Sequence, residues 1–308
     1  MFALETISLN KSYGHRRVIK DLNMHVPQGS IYGFVGKNGA GKSTVMKMVD
    51  HLVKPTSGTI EIFGDDGSKG GPRIQRIGSL IENPGVLPNL NAFDNLMAKA
   101  LAIGLVDSKK SCNEMLKTVG LADAGSKRVK KFSLGMKQRL GIGLALLGQP
   151  DLLLLDEPFN GLDPEGTREL RNLIATLNRT RGITVIISSH VLDQLDRIAT
   201  DYGVIADGQM VVELTTEQVA EECGDSLRIR TDKPELTLIK LQEMFPEYSC
   251  VMEPGNALRI NGTIDGDTIA RALADEGIVI LELTVTRRDI EDFFVNLMEG
   301  GARDVQSA

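Results

Sequence analysis

Nine residues, "GKNGAGKST" from Gly36 to Thr44, constrain the fold of this chain more than any other stretch. They follow the apolar run "IYGFV" and open a run of helix formers that reaches towards Leu52, so a glycine-rich loop joins a strand to a helix. That order is what a phosphate-binding loop needs. Its glycines let backbone N–H groups turn inward on phosphates, Lys42 adds positive charge at the β- and γ-phosphates, and the Ser43 hydroxyl can ligate Mg²⁺. Gly36, Asn38, Gly39, Gly41, Lys42, Ser43 and Thr44 are therefore the candidate nucleotide-binding residues. A turn that merely capped a helix would not need the full G-x-x-x-x-G-K-S spacing.

A loop of this kind belongs in an α/β architecture, and the rest of the chain agrees. "LLLLDE" and "TVIISSH" are, like "IYGFVG", short apolar runs followed by turn chemistry, which predicts a mainly parallel core sheet. Between about residues 85 and 148 the sequence turns rich in Leu, Ala, Met and Lys, predicting a helical insert. After Gly224 the order strand, helix, strand, strand, helix, strand describes a small α+β ferredoxin-like unit. A length of 308 residues suits this division, with residues 1–219 as the nucleotide-binding domain and 220–308 as an accessory domain. The final predicted helix spaces Ile290, Phe293, Phe294 and Leu297 as a packing face that a partner could also use. A net charge of -6 argues against general nucleic-acid binding. Cys112, Cys223 and Cys250 are too scattered for a disulfide framework or a metal site and read as reduced residues of a cytosolic protein. The N-terminus lacks a signal core, and no apolar run is long enough to span a membrane.

Phosphate-binding loops serve many enzymes, so the second acidic site discriminates. In "LLLLDEPFNGLD" a buried strand ends in Asp156, whose carboxylate can enter a Mg²⁺ shell. The adjacent Glu157 can polarise a water for in-line attack at the γ-phosphate. Pro158 then takes the chain out of the strand. A guanine-reading Asn-Lys-x-Asp is missing, because Asn10-Lys11 precedes the loop and is followed by Ser12 and Tyr13. ATP is the expected nucleotide.

These residues, together with "FSLGMKQ", "NGLD" and His190 in "SSHVLDQL", stand in an order that resembles the ATP-binding subunit of an ATP-binding-cassette transporter over roughly the first 220 residues. The resemblance implies that Tyr13 stacks on adenine, that Asp163 organises a dimer junction, and that His190 contacts the γ-phosphate. Each has a plainer alternative: a strand-end aromatic, a helix cap before Pro164, and a satisfied core histidine. The family sandwiches ATP between two subunits, with the signature segment of one covering the phosphate loop of the other. Here the family pattern Leu-Ser-Gly-Gly-Gln reads Phe132-Ser133-Leu134-Gly135-Met136, which keeps a hydroxyl at Ser133 and close backbone approach at Gly135 ahead of a positive helix end.

Where most of the family has a glutamine, in "IGSLIENPG", this chain has Glu82, either a further metal contact or a solvated loop residue. With "FSLGMKQRL" and the appended C-terminal domain, this substitution resembles the cassettes of bacitracin- and lantibiotic-type peptide antibiotic exporters. The implied partners are a second ATPase subunit, most simply another copy, and integral membrane permease subunits that would hold the chain on the inner face of the cell membrane. A soluble cassette ATPase acting on DNA or the ribosome is the alternative, for which a second cassette, a coiled-coil insertion or a basic surface is expected and none is seen.

Overall fold

The computed structural model describes residues 1–66, 76–223, 225–262, 265–287 and 290–299. In chain order the first part comprises β1 (Phe2–Tyr13), β2 (Arg16–Pro27), β3 (Ile31–Val35), α1 (Lys42–Val49), β4 (Ser57–Ile62), β5 (Asp65–Asp66) and β6 (Ile77–Leu80). Three helices follow, α2 (Ala92–Ala102), α3 (Ser108–Thr118) and α4 (Leu134–Leu146), all within the expected insert. The core then resumes with β7 (Leu152–Asp156), α5 (Pro164–Arg181), β8 (Thr184–Ser189), β9 (Asp201–Ala206) and β10 (Gln209–Thr215). The chain divides into two compact units, one of them Met1–Leu214 with the segment from Leu297, the other Thr215–Asn296.

The first unit holds two sheets. A six-stranded sheet runs β10-β9-β3-β8-β7-β6, in which β3 is parallel to both β9 and β8, and β7 to both β8 and β6. β3, β7 and β8 are buried along their whole length, as expected of central strands in a parallel sheet covered on both faces. The other sheet, β2-β1-β4-β5, is antiparallel. A continuous core unites Leu4, Leu22 and Met24 of this sheet with Phe34, Leu154 and Ile186 of the first, and Val45, Met46 and Met48 of α1 lie within it. The helix after the phosphate loop is thus immobilised by apolar contacts. It ends at Val49, short of the Leu52 that its composition suggested, and His51 follows with a left-handed φ of 58°.

The second unit carries α6 (Thr216–Glu222), β11 (Asp225–Thr231), α7 (Pro234–Met244), β12 (Ser249–Glu253), β13 (Ala257–Asn261), α8 (Gly266–Asp275) and β14 (Ile280–Arg287). Its strands pair antiparallel in the order β12-β13-β11-β14, the ferredoxin-like arrangement. Leu227, Ile229 and Ile260 of the sheet meet Leu241, Ile269 and Leu273 of the helices in a core of their own. In the last helix, α9 (Ile290–Met298), Phe293, Phe294 and Leu297 are all buried, so that stripe packs as its spacing predicts.

Candidate nucleotide site

Four neighbouring parallel strands, β3, β8, β7 and β6, deliver the candidate residues from their carboxyl ends, where open α/β sheets bind ligands. After β3 the phosphate loop turns through Gly39 at φ 83° and Gly41 at φ 117°. A Cβ on Gly41 would come within 2.5 Å of Ile19 Cδ1, and one on Gly36 within 2.5 Å of the Ile205 carbonyl oxygen, so the loop admits no side chain at either place. Asn38 and Gly39 are exposed at the tip, while Ser43 and Thr44 lie half-buried on the first turn of α1. That turn has no side-chain cap and no acidic residue, which leaves its amide groups and the positive helix end for an anion. Lys42 is buried, its ammonium donating to the Gly36 carbonyl at 2.6 Å and lying 3.3 Å from Glu157 Oε1. The donors and the cradle fit a polyphosphate.

Opposite the loop, β7 ends in the buried Asp156 and the chain turns at Glu157, whose φ of 48° is left-handed. In register with Asp156 across the parallel ladder stands Ser188 of β8. Its hydroxyl donates to Asp156 Oδ1 at 2.5 Å and accepts from the Glu157 N–H at 2.9 Å. His190, just beyond β8, brings Nδ1 to 2.8 Å from Glu157 Oε2. Lys42, Asp156, Glu157 and His190 are therefore brought together as expected, and Glu157 lies between two nitrogen groups. Ser188 is the neighbour that sequence reading passed over: "TVIISSH" shows a small polar residue at a strand end, but only the register shows that it faces Asp156. Among the described residues no group of three or more His, Cys, Asp or Glu side chains could hold a metal unaided. The hard oxygens of Asp156 and Ser43 suit an ion completed by phosphate and water.

The remaining candidates stand apart from this cluster. Tyr13 is exposed at the end of β1 with Lys11 Nζ 4.9 Å from its ring centre, an open aromatic face suited to stacking. Glu82, two residues beyond β6, has a left-handed φ of 64°, and its exposed carboxylate pairs with Lys47 of α1. Asp163 caps α5 by accepting from the Gly166 N–H at 3.0 Å, one of the two roles open to it. The buried stripe of that helix is Leu170, Ile174 and Leu177, with Leu173 half-buried. Ser133 caps α4 by accepting from the Met136 N–H at 3.3 Å. Gly135, in the same turn, has Leu162 Cδ2 as nearest neighbour to an added Cβ, at 3.7 Å. Ser133 and Leu134 are exposed, and no acidic residue blocks this helix end.

Beside the site, a groove of about 1260 Å³ is lined from β6, α2 and α4. Leu52, Leu87, Ile103 and Val106 on its walls are exposed. Asp50 lies among them, and burial pushes its carboxyl above the ordinary value despite a hydrogen bond from Ser79 at 2.9 Å.

The profile of the ABC transporter family matches residues 19–160. The bacitracin transport ATP-binding protein of Bacillus licheniformis is 39% identical over 300 residues, covering 97% of this chain and 98% of that protein. The lantibiotic transport ATP-binding protein of Streptococcus pyogenes is 43% identical over 210 residues, 68% of this chain and 90% of that protein. A solved ATP-binding subunit of an ABC transporter superposes with a TM-score of 0.63 at 28% identity, covering 71% of this chain and 92% of its own. Among the described residues no helix is long and apolar enough to cross a membrane. This chain belongs to the ATP-hydrolysing subunits of the ABC transporter family and is related to those of bacitracin and lantibiotic transport.

Proposed function

We propose that this chain powers the export of a peptide antibiotic or a similar amphipathic compound through a separate membrane permease, with two copies closing on ATP and Mg²⁺. The observation that carries the reading is the end-to-end match to a bacitracin transport ATP-binding protein, which includes the C-terminal unit as well as the cassette. The site supports it residue by residue. The loop from Gly36 to Thr44 holds the phosphates, Asp156 and Ser43 hold the metal, and Glu157 takes a proton from the attacking water. When bound, the metal would neutralise charge developing on the phosphate oxygens. His190 keeps Glu157 aimed through the 2.8 Å contact and is placed to meet the γ-phosphate. Tyr13 offers its face to adenine, and the open end of α4 at Ser133 and Gly135 serves the nucleotide of the other copy. The groove with exposed Leu52, Leu87, Ile103 and Val106 is the surface suited to a permease helix.

A strain lacking this chain, tested against bacitracin, lantibiotics and unrelated antibiotics, checks the reading. We expect peptide sensitivity to rise at least about fourfold, to be restored by the parent gene, and to stay high with Glu157→Gln, since that variant keeps nucleotide contacts but lacks the base. Unchanged sensitivity to every peptide would remove this class of cargo.

A further inference from the structure

We propose that Ser188 is a positioning residue that sets both carboxylates of the hydrolytic site with one hydroxyl. The inference rests on the roles given above to Asp156 and Glu157. Ser188 is fully buried at the carboxyl end of β8, level with Asp156 in the neighbouring strand. Its proton goes to Asp156 Oδ1 at 2.5 Å, while its oxygen accepts the Glu157 N–H at 2.9 Å. A hydroxyl that donates and accepts at once is polarised by both bonds, so each strengthens the other.

Two consequences follow for the chemistry. With Oδ1 engaged by Ser188, the rotation of the Asp156 carboxylate is fixed and Oδ2 is the oxygen left for a metal or its water. At Glu157 the backbone is left-handed, a conformation that costs a non-glycine residue about 1 kcal/mol or more and persists only where neighbours hold it. The Glu157 N–H is gripped by both the hydroxyl and, at 3.2 Å, the carbonyl of Ser188. An extended chain would send successive side chains to opposite faces. The turn held here instead directs Glu157 towards Lys42 and His190.

A serine that only satisfied buried polar atoms would affect stability and nothing else, so the test separates the two roles. Ser188→Ala keeps the backbone carbonyl that also accepts from Glu157, and Ser188→Thr keeps the hydroxyl; Asp156→Asn and Glu157→Gln serve as references. Purified full-length variants are compared for thermal midpoint, kcat and KM for ATP, metal-free binding of a non-hydrolysable ATP analogue, and the Mg²⁺ titration of that binding. For Ser188→Ala we expect kcat to fall roughly 10- to 100-fold and the Mg²⁺ midpoint to rise several-fold, the scale typical of groups that orient metal ligands. KM and metal-free binding should stay within about threefold of the parent, and Ser188→Thr should recover most of the loss. Parent-like kcat and Mg²⁺ titration in Ser188→Ala, beside an inactive Glu157→Gln, would overturn the Ser188 role alone. Loss of metal-free analogue binding in Ser188→Ala would overturn it in favour of a structural role. Parent-like turnover in Glu157→Gln would overturn the catalytic assignment and this inference with it.

Discussion

At Glu82 a single charge separates this chain from the glutamine expected at that position, and the structure gives that charge a partner. The carboxylate is drawn to Lys47, on the helix that begins at Lys42, while its own backbone is left-handed. We propose that Glu82 exchanges Lys47 for the metal once nucleotide is bound. Glu82→Gln should then leave ATP affinity unchanged and alter the Mg²⁺ midpoint of turnover by roughly threefold, in line with the effect of a lost outer contact to a metal site. Thermal stability should change by less than about 1 kcal/mol, because the pair is exposed. A Mg²⁺ titration superimposable on that of the parent would leave Glu82 as a surface partner of Lys47.

Elements are set against one another by contacts that leave little room. β9 lies beside β3, and an added Cβ at Gly203 would stand 2.0 Å from the Tyr32 hydroxyl. That hydroxyl is buried and donates to Glu213 Oε1 at 2.6 Å, and Glu213 in turn holds His25 of β2 through Nδ1 at 2.7 Å. Burial first, and then the adjacent Glu213 carboxylate, drive the Tyr32 phenol well above its ordinary range, so it serves as a donor. Gly203→Ala should therefore cost about 3 kcal/mol or more, from overpacking and from loss of a hydrogen bond to a charged group. Adding Tyr32→Phe to Gly203→Ala should cost less than the sum of the two single changes, because both disturb one bond. Denaturant unfolding of the four proteins measures this coupling, and strict additivity would show that Gly203 and Tyr32 act separately.

For the whole molecule the question is whose nucleotide the open end of α4 serves. Lys42→Ala damages the phosphate loop, and Gly135→Asp places a negative side chain at the helix end. Homodimers of either variant carry two damaged sites. If Ser133 and Gly135 serve the other copy, a mixed dimer gathers both lesions in one site and leaves the other intact, so mixing should recover up to about half the parental ATPase if sites act independently. A mixture shown to contain mixed dimers, yet no more active than the homodimers, would count against two copies sharing each nucleotide.

The loop from Gly36 to Thr44, the acidic strand end at Asp156 and Glu157, and the fold class were legible in the sequence because each is local chemistry. The spacing of glycines around a lysine, an apolar strand ending in carboxylates, and the alternation of strand and helix texture can all be read along the chain. The caps at Asp163 and Ser133 were legible for the same reason, since a helix cap joins residues three apart. Ser188 was not. It lies 32 residues from Asp156, and their meeting depends on the register of β8 against β7, which hydrogen bonds between distant segments decide. The pairing of Glu82 with Lys47, and the dependence of Gly203 on Tyr32, likewise arise when separate strands and helices are packed into one core. Sequence determined which chemical groups stand at the strand ends; only tertiary structure decided which of them touch, because through-space distance is set by strand order and packing rather than by separation along the chain.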